Sequence, residues 1–231
     1  MNKTIPVIKV LTSIVVVIFL LLTAVRFLLN PLFLRIEYKM PGFPPDEYGF
    51  TSQERLEWAN ISLTYLLNRE GIDFLERQKL ASGEPLYNER ELQHMRDVKN
   101  LVSKALITWY ITIALLILFG LFASEAHFLP SFWDAFSKGG IATIVLIVVI
   151  IFGVLASFEW LFTAFHRIFF EGDTWLFRYS DTLIRLFPMR FWQDAFIFLG
   201  VLSAVGGIIA YIVGRVVREK FLKAEADPNE E

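Results

Sequence analysis

The sequence predicts an all-α membrane protein: four transmembrane helices, a mostly helical extracytoplasmic domain between spans one and two, and an interfacial hairpin between spans three and four. Three observations predict it. Hydrophobic residues make up 55% of the 231, mean hydropathy is +0.50, and the apolar residues gather in four long blocks rather than being spread. Each block approaches the roughly 20 residues that cross about 30 Å of hydrocarbon. The polar residues concentrate in one stretch, residues 30–100, between the first two blocks. The 23 phenylalanines and 6 tryptophans suit rings placed in lipid and at its interface.

Residues 1–29 hold the N-terminus and the first span, an apolar run from Val10 to Val25 with Lys3 and Lys9 before it. A cleaved signal peptide would begin the same way, but the run is long for one and lacks a small-x-small cleavage site, so the span is read as retained. Arg26 can reach the interface along its own stem. Residues 30–100 form the extracytoplasmic polar domain. Pro41, Pro44 and Pro45 keep its start irregular. Thr51 with Glu54 is a capping-box pattern, followed by Leu56, Ala59, Leu63 and Leu66 at helical spacing. Asn88 with Glu91 repeats the start signal, and nothing breaks the helix from Glu89 into the second span.

That span, residues 101–124, carries no charge from Ala105 to Ala123. A cytoplasmic loop at 125–139 leads to the third span, 140–162, which runs on through Phe158 toward Phe162 despite Glu159. Residues 163–193 form the extracytoplasmic interfacial segment, where Phe165–Trp192 is aromatic and basic together, as in an amphipathic hairpin. The fourth span, 194–214, offers Gly200, Gly206, Gly207 and Gly214 for close helix packing. The cytoplasmic tail, 215–231, begins basic, ends acidic and is expected to fray. Lys3, Lys9, Arg215, Arg218, Lys220 and Lys223 place both termini in the cytoplasm.

A net charge of −2 gives no footprint for nucleic acid. The absence of cysteine excludes disulfides, thiolate zinc sites and cysteine nucleophiles. No Gly-x-Ser-x-Gly elbow, His-Glu-x-x-His pair or phosphate loop is present.

Span parity sorts the three histidines. His94 precedes span two and His166 follows span three, which puts them on one side, whereas His127 lies on the other. At 1.5 Å per residue, His94 stands roughly 10–16 Å before span two and His166 roughly 6–9 Å past span three, both near headgroup depth. Asp97 shares a helix face with His94, and Arg90 lies one turn earlier. A carboxylate beside an imidazole sets its tautomer and raises its basicity. Spacing alone also allows a capped helix with a solvated charged face. For His166 the bland reading is an interfacial histidine among phenylalanines. Trp175, Arg178 and Asp181, spaced by three, either anchor the hairpin or hold a lipid head.

Two stretches carry a family likeness. One is Asn88-Glu-Arg-Glu-Leu-Gln-His-Met-Arg-Asp-Val-Lys-Asn-Leu101; the other is Phe165-His-Arg-Ile-Phe-Phe170, leading through Trp175 and Asp181 to Leu186-Phe-Pro188 and Phe191-Trp192. They resemble the bacterial membrane family that includes the lipoprotein intramolecular transacylases. The resemblance implies four spans, an extracytoplasmic site in the cell membrane, and essential histidines matching His94 and His166. It also implies the reaction: the sn-2 acyl chain of a lipoprotein's diacylglyceryl-cysteine moves to that cysteine's α-amine, giving the lyso form. Membrane lipoproteins and bilayer lipid are then the partners.

Such a transfer requires no enzyme nucleophile, because amine and ester sit on one molecule. Holding them together can supply roughly 7–11 kcal/mol. Two imidazoles can take a proton from an ammonium of pKa about 8 and supply one to the departing alkoxide, without cofactor or metal. The expected catalytic set is His94, oriented by Asp97, as base, and His166 as acid or oxyanion donor; the sequence leaves the reverse assignment open. Arg90, Trp175, Arg178 and Asp181 are the expected substrate-binding residues. One rival is a metal-dependent lipid or peptide hydrolase with His94, Asp97 and His166 as zinc ligands. A second is a non-enzymatic membrane assembly factor, which gives no reason for two histidines at matching depth.

Overall fold

Long apolar runs without proline become long helices, and the computed structural model of the chain shows them. It describes residues 4–226, so Lys3 and the acidic end of the tail lie outside the described residues. Among these residues there are nine helices and no strand: α1 Thr4–Leu28, α2 Pro31–Glu37, α3 Ser52–Leu67, α4 Asp73–Glu76, α5 Glu89–Glu125, α6 Leu129–Ala156, α7 Phe158–Phe169, α8 Thr182–Leu186 and α9 Met189–Ala226. Four of them, α1, α5, α6 and α9, are long and apolar enough to cross a membrane.

The sequence boundaries shift in four places. The third span ends at Ala156 rather than near Phe162, because Ser157 turns extended and its hydroxyl accepts from the Trp160 N–H to start α7. The segment expected as a hairpin consists of α7, a loop and α8, and Phe191 and Trp192 already belong to the first turn of α9. The loop expected over 125–139 shrinks to a few residues, since α6 begins at Leu129 and tolerates Pro130 in its first turn. The tail is helical to Ala226, its residues being good helix formers with Arg215 paired to Glu219 at 3.7 Å.

The chain divides into two units. The first comprises Met1–Val25, Leu106–Phe152 and Phe198–Glu231. Its helices approach through glycine. A Cβ on Gly140 would meet the Gly207 carbonyl oxygen at 2.5 Å, and one on Gly214 the Trp133 carbonyl oxygen at 2.8 Å. Backbone cannot yield there as a side chain would, so α6 and α9 pack at that distance only through glycine. Asp134 collects Lys138, Lys9 and Arg218 from three helices at 2.8, 3.4 and 4.0 Å.

The second unit comprises Arg26–Ala105 and Gly153–Ile197. Its core joins Tyr65, Leu75, Leu86, Tyr87, Leu92 and Met95 with Leu183 and Leu186 of α8. Both expected capping boxes form, at Thr51/Glu54 and at Asn88/Glu91. Side chains hold both ends of α8. At its start Glu91 accepts the Leu183 N–H at 2.6 Å, and the Thr182 hydroxyl donates to the Leu86 carbonyl. At its end the Tyr38 hydroxyl donates to the Leu186 carbonyl at 2.6 Å and buried Arg55 to the Arg185 carbonyl at 2.9 Å. Arg185 itself makes a two-pronged pair with Asp46 at 3.0 and 2.9 Å, which fastens the proline-rich segment before α3 to α8.

One carboxyl in this unit has no ordinary partner. Glu37 is fully buried, and neither of its oxygens receives a hydrogen bond from a donor group. It faces Asp194, which accepts from Arg190 at 2.6 Å. Two carboxyls can bond only if one keeps its proton, and burial, then Asp194, push Glu37 up to about 7. Between the ordinary carboxyl pKa and that value, the folded chain keeps a proton that the unfolded chain has released. Glu37 therefore lowers stability as pH rises through that window. Glu37→Gln should gain thermal stability relative to the parent as pH is raised from about 5 to 7.5. A difference between the two melting temperatures that stays constant with pH would contradict the shared proton.

Candidate functional site

The two expected histidines meet within the second unit. His94 lies in the second turn of α5, ahead of that helix's apolar stretch, and His166 lies near the end of α7. Their ring centroids are 6.0 Å apart and nearly parallel, at 22°. Both are buried, at 8% and 7% exposure. The helical period explains their direction: the face of α5 that buries Glu91 and Met95 carries His94 with it.

Rings build the walls. Phe170 contacts both imidazoles, at 5.0 Å from His94 and 5.4 Å from His166. Phe177 stands edge-on to His94 at 5.3 Å, and Phe162 and Trp175 lie 4.1 and 4.9 Å from His166. The loop between α7 and α8 thus supplies Phe170, Trp175 and Phe177. Its sharp turn passes through Gly172 at φ +69, where a side chain would be strained. The Trp175 indole N–H then donates to the Gly172 carbonyl at 3.3 Å.

The two imidazoles differ in their hydrogen bonds. His166 Nδ1 lies 2.8 Å from the Phe162 carbonyl oxygen. A carbonyl only accepts, so the proton sits on Nδ1 and the neutral ring keeps its lone pair on Nε2. His94 Nδ1 is buried and has no hydrogen-bond partner among the described residues. Burial, with a smaller push from the neighbouring His166, lowers His94 to about 4. Burial also lowers His166, against a smaller upward pull from its bond to Phe162. Both rings are therefore neutral near pH 7. Charging His94 at that pH would cost roughly 4 kcal/mol, about three pKa units.

Asp97 does not orient His94, contrary to the sequence expectation. Its carboxylate accepts from the Gln93 amide at 3.2 Å, and the imidazole Nδ1 remains unpartnered. Three residues advance a helix by less than one full turn, which leaves Asp97 on the flank while His94 points inward. No third ligand therefore joins the two histidines, and among the described residues no three His, Asp or Glu side chains converge as a metal site would require.

The other expected binding residues separate into two places. Trp175 lies on His166. Arg90 donates to the Leu176 carbonyl at 2.9 Å, and Asp181 accepts from the Arg178 N–H at 2.8 Å and from the Asn88 amide at 3.1 Å. Arg90 and Asp181 thus hold the loop in place. With Asn88, Glu89 and Arg178 they line an exposed cleft of about 410 Å³. Sequence reasoning missed Phe170 and Phe177 as walls, and took Glu91 only as a capping residue. Its spacing of four from the apolar Met95 was the available sign that Glu91 turns inward.

Residues 10–192 match the family described as "Lipoprotein intramolecular transacylase Lit". An "Uncharacterized protein" of Aquifex aeolicus (strain VF5) is 31% identical over 220 residues, spanning 94% of this chain and 98% of the relative. The solved membrane integral lipoprotein intramolecular transacylase Lit of Bacillus cereus superposes with a TM-score of 0.78 at 21% identity, over 96% of this chain and all of that one. A variant of it with one histidine replaced by alanine gives 0.72 at 22% identity, covering 96% and 97%. This chain shares its fold with both solved structures.

Proposed function

The chain belongs to the lipoprotein intramolecular transacylase family and acts as a multi-pass membrane acyltransferase; from that premise we propose that His166 is its general base and His94 its oxyanion donor. The substrate is a membrane lipoprotein whose N-terminal cysteine carries a diacylglyceryl group. The α-amine attacks the sn-2 ester carbonyl, a C–N bond forms, and the ester C–O bond breaks. One proton passes from nitrogen to the glycerol oxygen, and the product is an N-acylated lyso-form lipoprotein.

The observation that carries the assignment is the His166 Nδ1–H bond to the Phe162 carbonyl, which leaves Nε2 free to accept that proton. Returned to the departing alkoxide, the same proton completes the transfer. His94, held neutral by burial, is better suited to donate a hydrogen bond than to carry charge. A neutral donor in a dry site favours the developing oxyanion without competing for the proton. This reverses the roles first expected from the sequence, and it leaves Asp97 outside the reacting groups.

The site faces the extracytoplasmic side and both termini the cytoplasm, a reading supported by Lys9, Arg215, Arg218, Lys220 and Lys223 at the ends of the first and fourth spans. The chain lacks cysteine, so single cysteines report cleanly. An impermeant thiol reagent on intact cells should label Asn88→Cys and miss His127→Cys; labelling of both would refute the orientation.

Purified protein assayed by mass spectrometry of lipoprotein N-termini tests the chemistry. His166→Ala and His94→Ala should each lose at least about 100-fold in kcat, and His127→Ala and Asp97→Asn should stay near the parent. His94→Gln, which keeps an N–H donor, should retain more activity than His94→Ala, whereas His166→Gln should match His166→Ala. The opposite pattern would restore the reverse roles. Because the base is depressed and must be neutral to act, kcat/KM should follow only the substrate amine from about pH 8 down to 6.5. The steeper fall should begin below 6.5; a break at 6.5 would mean an unperturbed imidazole.

A further inference from the structure

The cleft of Asn88, Glu89, Arg90, Arg178 and Asp181 lies on the loop whose Trp175 touches His166, and neither the proton transfer nor the oxyanion requires it. Resting on the transacylase reading, we propose that this cleft binds the substrate's polypeptide just after the lipidated cysteine, with the Arg178 guanidinium as its main hydrogen-bond donor.

Most polar groups of the cleft are already committed. The Asn88 side-chain oxygen accepts from the Glu91 N–H, and its amide N–H donates to Asp181. Arg90 holds the Leu176 carbonyl, and Asp181 holds the turn. At the start of α5 the Glu91 N–H is already taken by the Asn88 side chain. The exposed Arg178 side chain makes no hydrogen bond or ion pair among the described residues, and exposed Glu89, also in the lining, is a free acceptor there.

A polypeptide offers alternating N–H and C=O groups, which match a cleft with one free donor group and one free acceptor. A lipid phosphate matches it poorly. Two arginines and two carboxylates give the lining no net charge, and a phosphate beside Arg178 would also face Glu89 and Asp181. Reach agrees as well. Arg178 is three residues beyond Trp175, so their backbones are at most about 11 Å apart. A substrate extended from the histidine pair would cover that distance within about three to five residues.

The test uses the full-length protein in micelles of an uncharged detergent and two synthetic lipopeptides. Both begin with diacylglyceryl-cysteine; one stops after a single further residue and the other continues for about eight. Conversion to the N-acyl lyso form is followed by mass spectrometry. The parent should prefer the longer substrate by about 10-fold in kcat/KM, chiefly through KM, as loss of one charge-assisted hydrogen bond would give. Arg178→Ala and Arg178→Gln should bring that ratio to near one. A parent that ignores length, or variants that lower both substrates equally, would overturn the proposal. So would a loss in the variants that appears only when anionic phospholipid is added, since that would make the ligand a headgroup. If the parent converts neither substrate, the transacylase reading itself fails first, and this inference with it.

Discussion

The five residues of α8 are too few to persist as a helix without support, and the placement of the histidine walls depends on them. Glu91 holds their start, and Tyr38 and Arg55 hold their end. The loop from Phe170 to Asp181 is therefore fixed at both ends, by α7 before it and by α8 after it. From the turn that carries Glu91, Arg90 holds the loop in its middle at Leu176, and Asn88 holds Asp181 at its end. Phe170, Trp175 and Phe177 reach the two imidazoles only because of this restraint. Burial itself pushes Glu91 up to about 7 even though backbone N–H groups pull it down, so the anchor works in a setting that disfavours its charge.

Exclusion of water accounts for the chemistry as well as the shape. A pair of exposed imidazoles would titrate near 6.5 and be hydrated on both nitrogens. Here one ring has its proton located by a carbonyl and the other has a buried nitrogen with no partner. An unpartnered polar atom in a dry site costs stability, about 1–3 kcal/mol. Such a cost is expected where a polar group is set in place for a reacting substrate atom. The carbonyl oxygen of the ester, as it gains charge, is the natural partner.

Much of this was legible in the sequence, for identifiable reasons. The spans are read from local composition, and the capping boxes at Thr51 and Asn88 from local spacing, so the four long apolar helices and both caps are present although helix ends move. Span parity placed His94 and His166 together because it depends only on counting crossings. What failed depended on direction rather than position. Asp97 is at the right spacing, yet it turns to Gln93. Ser157 interrupts an apolar run because one hydroxyl competes for a backbone N–H, a choice that hydropathy does not register. Glu37 and Asp194 lie 157 positions apart in sequence, and no local pattern could pair them.

The central claim is that Glu91, acting through α8 and its loop, keeps the histidine pair dry. With three histidines in the chain, carbon-13 labelling of the imidazole rings gives a titration for each by NMR. His94 should titrate at about 4 in the parent, and Glu91→Ala should move it back toward the usual 6.5 while helix content is retained. A His94 titration that Glu91→Ala leaves unmoved, in a protein still folded, would contradict the account.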